Sequence, residues 1–514
     1  MVQGVIIENG CIVDVNPATG EIIDRVRVST KAEVDKAIEG ARKAQPAWNT
    51  FSLAMRTSMV KDAVKKIGVD KAGLAKMIVR EMGKTLKEAE EEVDDNADKD
   101  EYCDLVMAAN EPEIHGGSVI ARAPHGVISI CAPWNYPIEE IVLLAVPALI
   151  AGNAVVIKPS EVVPLSSGAV AKCLMEGLNS IQPGLVSLVQ GDGDIGSYLV
   201  SHPGVDMCAF TGSTATGTKI LQAASQSLKP VVLECGGKDP MVVFGDADLD
   251  AAAKDAVDFS LANCGQVCCA VERVYVDKSI APAFEAKVLE HAKSYVAGDG
   301  LETASTIGPL VSEMQRQTVH RHVEAAQKAG ARCILGGKLP PKSAKGTFYP
   351  PTVLADVPHA AKEITQEETF GPVVALTTFD GEDETAVQLA NDSTYGLTAS
   401  VYSGDLKRAG RVASRIQAGQ VGVNNNPLSG ARDIRCPFVG HKHSGYGSHS
   451  GKDGWRQFSV PKSLLYASPP EEEKLPMAGP SKVEGGDGKV MKVAVLSAVA
   501  GAALAMVLAR VVKA

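Results

Sequence analysis

Apolar residues first recur along this chain at helical spacing, then in short unbroken runs typical of buried strands. Residues 12 to 30 read as two short β segments around a turn at Asn16-Pro17-Ala18-Thr19-Gly20. From about Lys31 to Met107 the pattern predicts long amphipathic helices. Within them, Glu81 to Asp98 is so densely charged that it reads as a solvated helix face. Val119 to Ile130 is strand-like, with a break at His125-Gly126. Short apolar runs follow at Ala154 to Lys158, Leu185 to Leu188, Met207 to Phe210, Val231 to Leu233 and Val271 to Val276. They alternate with helical stretches, and the alternation continues to the glycine-rich loop from Pro437 to Gly451. No internal repeat is present. This order predicts an α/β fold.

Composition narrows the picture. A chain of 514 residues, 45% hydrophobic, has material for a large core and more than one domain. Its net charge of -10 argues against a general nucleic-acid binder. The eleven cysteines are odd in number, scattered and without CxxC pairs, so they predict reduced thiols in a cytosolic compartment, with neither a disulfide framework nor a metal centre. Met1-Val2-Gln3-Gly4 lacks the basic and apolar regions of a secretory signal.

Several stretches carry residues suited to chemistry. Asn263 to Arg273 places Cys268 and Cys269 after a Gly265-Gln266-Val267 run. A thiolate is a strong nucleophile when its pKa is lowered and substrate can reach it; buried adjacent cysteines also serve as small core residues. In Ala132-Pro133-Trp134-Asn135-Tyr136-Pro137 the two prolines fix a turn on which Asn135 is either an oxyanion donor or an ordinary loop residue. Lys158-Pro159-Ser160-Glu161 puts an ammonium and a carboxylate at the carboxyl end of a strand, where ligands of open α/β sheets bind; a surface ion pair would look the same. Gly191 and Gly193 follow the next strand. Thr211-Gly212-Ser213-Thr214-Ala215-Thr216-Gly217 opens a helix whose free N–H groups suit an anion, without the GxGxxG spacing. Glu234, leaving a strand before Cys235, Gly236 and Gly237, is a candidate general base or a plain strand-end residue. Gln366-Glu367-Glu368-Thr369-Phe370-Gly371-Pro372-Val373 is a loop before a strand.

Taken in this order and spacing, these motifs resemble the aldehyde dehydrogenase superfamily over roughly residues 12 to 467. The resemblance implies a Rossmann-type cofactor domain over residues 1–105 and 125–236, and an α/β catalytic domain over 237–453. It also implies a β-arm, residues 106–124 and 454–467, joining a homodimer or homotetramer. It makes Cys268 the nucleophile, Asn135 the oxyanion-holding amide and Glu234 the base that activates water. For NAD it implies Trp134, Lys158, Glu161, Gly191, Gly212, Ser213, Gly236, Glu368 and Phe370, with Glu161 on the adenosine ribose disfavouring NADP. The expected reaction is oxidation of a small-molecule aldehyde to its acid through a thiohemiacetal and a thioester. The rivals are acyl transfer to CoA, against which Glu234 argues, and an inactive membrane-tethered scaffold. Five positions depart from the usual pattern: Cys235 stands where leucine is common, Leu144 where a lysine is common, His449 in place of an acid, and Val439 and His443 in the glycine-rich loop.

The substrate is less defined. Tyr136, Glu140 and Leu143 align with the helix lining the aldehyde tunnel, where an acidic Glu140 would favour a cationic aminoaldehyde. The C-terminus points to lipophilic aldehydes of medium or long chain. There, residues 468–489 read as a disordered linker rich in Pro, Gly and charge, and 490–514 as a transmembrane tail. Val493 to Ala509 is an uncharged run of seventeen residues between Lys492 and Arg510. At about 1.5 Å per residue it would span roughly 25 Å, near the lower limit for a bilayer core. The expectation is a membrane-anchored enzyme with its catalytic body in the cytosol; the alternative is a soluble cytoplasmic enzyme.

Overall fold

A computed structural model describes residues 4–115, 117–341, 343–428 and 433–467. Two sheets dominate. The first holds five parallel strands, Val127–Cys131, Ala154–Lys158, Val186–Leu188, Met207–Thr211 and Val231–Glu234. Taken as first to fifth in the chain, they lie in the order third, second, first, fourth, fifth, and the antiparallel pair Gly445–Tyr446 extends the fifth. The strands are short, apolar runs because helices cover both faces, so no polar side need alternate with the core side. Strand order reverses between Val127–Cys131 and Met207–Thr211, and a ligand crevice is expected at the carboxyl ends beside such a reversal. Four of these strands fall where short apolar runs placed them, and Val127–Cys131 is the part of the strand-like stretch Val119 to Ile130 that follows its break, the part before it joining another sheet.

The second sheet has seven strands. Asp239–Val243, Val271–Asp277, Val373–Phe379, Thr352–Ala355, Thr398–Tyr402 and Gln420–Val423 run parallel, and Arg332–Leu335 closes one edge antiparallel. The chain passes from the first sheet to the second through Cys235-Gly236-Gly237-Lys238 alone. Carboxyl ends of the first sheet therefore meet amino ends of the second, which is where the chemistry-bearing loops converge. A third sheet, Glu113–His115, Ser118–Pro124 and Ser459–Leu465, pairs two segments far apart in sequence and leaves Ile114, Val460 and Leu465 exposed.

The helical region predicted from Lys31 to Met107 forms five α-helices: Lys31–Trp48, Leu53–Val64, Lys71–Met82, Leu86–Ala97 and Asp100–Ala109. Here one expectation fails. Glu81, Lys84, Glu92 and Asn96 of the charged stretch are buried, at 1%, 2%, 4% and 0% exposure. The cause lies in two other helices. Pro164–Leu178 and Glu139–Ile150 have no side-chain cap of their own. Their free N–H groups donate instead to carboxylates of the charged stretch. Leu165 and Ser166 donate to Glu81 at 2.6 and 2.7 Å. Ile138 and Glu139 donate to Glu92 at 2.9 and 3.3 Å. A carboxylate at a helix N-terminus satisfies orphan donors and meets the positive end of the dipole, which offsets its burial.

No helix among the described residues is long and apolar enough to cross a membrane. The linker at 468–489 and the tail at 490–514 lie outside the described residues.

Candidate active site

After the helix Leu249–Leu261 the chain turns through three successive left-handed residues, Asn263 at φ 48°, Cys264 at 58° and Gly265 at 71°. Such a conformation costs about 1–3 kcal/mol per non-glycine residue and persists only where its surroundings dictate it. They do. Asn263 N–H donates to Glu88 Oε1 at 2.7 Å, and its side-chain amide donates to Asn135 O at 3.2 Å. Gln266 Nε2 donates to Asn263 O at 3.1 Å while its Oε1 accepts from Val311 N at 2.8 Å. A Cβ at Gly265 would overlap the Gly371 carbonyl, so only glycine fits between the two loops.

This turn delivers Cys268. Of the three cysteines in the stretch, Cys264 and Cys269 are buried and Cys268 alone keeps partial access. Its thiol is pushed well above the usual range by contact with Cys269, by burial and by the Glu234 carboxylate. A lowered pKa was the expectation; the shift runs the other way because burial and the adjacent carboxylate disfavour the thiolate.

Asn135 sits on its proline-bounded turn with 6% exposure, and its Nδ2 donates to Gln266 O at 3.1 Å. One amide N–H is thereby aimed at the cysteine loop. The turn is braced from below. Lys84 Nζ lies 4.0 Å from the centre of the Tyr136 ring and 2.6 Å from Glu92 Oε2, an ion pair 1% and 2% exposed. Reading the sequence alone missed Lys84, Glu88 and Glu92; the only available sign was charge that exceeded what one helix face needs.

Glu234 ends its strand 3% exposed, with neither carboxylate oxygen hydrogen-bonded. Burial and the neighbouring Glu140 raise its pKa well above the ordinary carboxylate value. Glu140 Oε2 accepts from Thr211 Oγ1 at 2.8 Å. Donor atoms of Glu140, Glu234 and His449 all lie within 4.8 Å of one another.

The remaining sequence-predicted residues line the crevice at the strand ends. Lys158 Nζ and Glu161 Oε2 are 3.4 Å apart, both side chains nearly buried. Gly191 leads into the helix Gly193–Ser201. Ser213 caps the helix Thr214–Ser225, accepting from Thr216 N, and Gly212 N donates to Glu234 O at 3.0 Å. Glu368 Oε1 accepts from Gly237 N at 3.0 Å; a Cβ at Gly236 would occupy the space of that carboxylate, whose pKa burial raises to about 8. Phe370, at φ 51°, meets Trp134 edge to face at 5.4 Å. Glu272 holds the Phe370 loop, accepting from Thr369 N at 2.8 Å and Phe370 N at 2.9 Å while paired with buried Lys238. The strand ends thus offer an ion pair, a helix N-terminus and an aromatic pair, a donor set that suits a dinucleotide.

Comparison with known proteins agrees. Residues 7–464 match the aldehyde dehydrogenase family. The chain is 37% identical over 465 residues to aminoaldehyde dehydrogenase 1, peroxisomal, of Malus domestica, covering 88% of this chain and 91% of that protein. It superposes on betaine aldehyde dehydrogenase of Staphylococcus aureus in complex with NAD+ with a TM-score of 0.83, 32% identity and coverage of 89% and 94%. Aldehyde dehydrogenase C of Pseudomonas syringae, complexed with NAD+ and octanal, gives a TM-score of 0.84 at 33% identity, covering 90% and 95%. The chain belongs to the aldehyde dehydrogenase family, and it is an oxidoreductase that uses NAD to take an aldehyde to its carboxylic acid.

Proposed function

We propose that Cys268, Asn135 and Glu234 carry this reaction, and the observation that supports it is their convergence on one turn. Glu234 takes the Cys268 proton. The thiolate attacks the aldehyde carbon, and the oxyanion that forms is held by the Asn135 amide and the Cys268 backbone N–H. Bound NAD supplies the hydride acceptor that turns the thiohemiacetal into a thioester. Glu234 passes that proton to solvent and, ionised again, activates the water that attacks the thioester; the acid leaves and the Cys268 sulfur is released, which is why the chain suits hydrolysis rather than transfer to CoA.

In this reading Lys158 and Glu161 hold the adenosine ribose, Gly191, Gly212 and Ser213 surround the pyrophosphate, and Trp134, Gly236, Glu368 and Phe370 bound the nicotinamide end. A carboxylate at Glu161 faces a 2'-phosphate as like charge, so NAD is preferred over NADP. Residues 1–105 and 125–236 form the cofactor domain and 237–453 the catalytic domain. The strands of 106–124 and 454–467, with Ile114, Val460 and Leu465 exposed, pair subunits into a homodimer or homotetramer.

For substrate we propose a lipophilic aldehyde of medium or long chain. Glu140 is engaged by Thr211 and stands beside the base, and the uncharged run from Val493 to Ala509 suits attachment to a membrane with the catalytic body in the cytosol. The aminoaldehyde named for the Malus domestica relative supports a cationic substrate as the second reading. NADH formation from octanal, hexadecanal and 4-aminobutanal, with and without CoA and with NADP replacing NAD, tests each part. Faster turnover of the aminoaldehyde, dependence on CoA, or a higher kcat/KM with NADP would each overturn the corresponding assignment.

A further inference from the structure

Beside the nucleophile lies a group of donors that the reaction above does not use together. Glu140, Glu234 and His449 bring two carboxylates and an imidazole within 4.8 Å of one another. Both oxygens of Glu234 and Nε2 of His449 are buried without a hydrogen-bond partner, in residues each 3% exposed. Buried polar atoms are normally satisfied, so orphaned atoms on two facing side chains point to a missing partner.

We propose that Glu140, Glu234 and His449 form a binding site for one divalent cation of the zinc class, and that filling it switches the base off reversibly. The donor set decides the ion. Carboxylate oxygens with an imidazole nitrogen suit Zn²⁺, whereas Mg²⁺ and Ca²⁺ favour oxygens alone. A tetrahedral ion with bonds of about 2.0–2.2 Å needs donors about 3.4 Å apart, so binding draws the three groups inward from the 4.8 Å within which they lie.

Outer contacts already orient two of the three ligands. His449 Nδ1 lies 2.8 Å from Ser450 Oγ, and its ring stacks on Phe438 at 5.4 Å and 28°. With the proton on Nδ1 and Ser450 accepting, the Nε2 lone pair faces the carboxylates. Glu140 is fixed by Thr211 Oγ1 at 2.8 Å. An ion seated here occupies the oxygens that would otherwise activate water.

The test uses the full-length protein, stripped with a chelator and titrated with zinc sulfate against a chromophoric chelator. The expected result is one equivalent bound, with affinity lowered at least about tenfold in His449→Asn and in Glu140→Gln. Magnesium chloride does not compete, and aldehyde oxidation falls in step with occupancy and returns on chelation. A double variant, Cys268→Ala with Cys269→Ala, retains the bound equivalent. Loss of zinc in that double variant would place the ion on the thiols and overturn the proposal. Unchanged affinity in both His449→Asn and Glu140→Gln would do the same. If His449→Asn does not fold, Glu140→Gln decides alone.

Discussion

Contact with Cys269, burial and the Glu234 carboxylate raise the pKa of Cys268, while burial and the neighbouring Glu140 raise that of Glu234 and the Cys268 thiol acts to lower it. Cys268→Ala is expected to abolish aldehyde oxidation while leaving NAD binding intact, and Cys269→Ala to retain turnover. Steady-state rates and NAD fluorescence titration check this; loss of activity only in the Cys269 variant would reassign the nucleophile. Glu234→Gln is expected to slow turnover by about 10²–10⁴-fold, because a positioned general base is worth that much. The base works when deprotonated, and its pKa is raised. Wild-type kcat should therefore fall as pH drops through that raised value, and the glutamine variant should lose this dependence. A pH profile of kcat for both proteins distinguishes the cases. Order and spacing singled out Cys268, Asn135 and Glu234 as candidates. His449 was legible only as a departure from the usual acid. That its Nε2 faces two carboxylates depends on a loop fold that no local pattern encodes.

Helices and strands were legible wherever an apolar pattern was long or unbroken, as at Ala154–Lys158 and Lys31–Trp48. The helix Leu86–Ala97 was placed correctly and its environment was not. Periodicity separates charged from apolar faces, but it cannot tell a carboxylate in water from one that caps a helix dozens of positions away. Lys84 and Glu92 form a pair with almost no exposure, and breaking a buried pair by removing one partner costs about 3–5 kcal/mol. Lys84→Met is thus expected to lower stability by that amount in urea denaturation and to reduce kcat more than NAD affinity, since Tyr136 loses its support. A second test concerns Asp14 on the strand Cys11–Val15. Burial raises its pKa to about 6, against the Glu81 carboxylate. Its contribution is fully present below the unfolded value of 3.8 and is lost as pH rises through about 6. Asp14→Asn should therefore be more stable than wild type at pH 8, with the advantage shrinking at pH 5. A difference independent of pH would show that the raised pKa plays no part.

For the molecule as a whole, the α/β class followed from the alternation of elements, and the division into a cofactor and a catalytic part was implied only by the family resemblance. The placement of carboxyl ends against amino ends followed from neither, because it is fixed by the short Cys235–Lys238 crossing. The C-terminal run remains a reading of sequence, and its test is direct. Full-length protein should stay with membranes after carbonate extraction, and a version ending at Ser468 should not; recovery of both in the supernatant would remove the anchor. Protease added to intact organelles should reach the catalytic body.

One further consequence concerns time. Glu92, Glu81 and Glu88 bond to partners 46, 84 and 175 positions further along the chain. Each of these pairings closes a long loop, and loop closure must precede the contacts that reward it. A ribosome releases the charged helix well before the cysteine turn that needs it. The strained residues Asn263 and Cys264 have no reason to adopt their native angles until that helix has docked. Recovery of activity on refolding should then lag recovery of helical signal, the nucleophile being among the last parts of the protein to reach its working geometry.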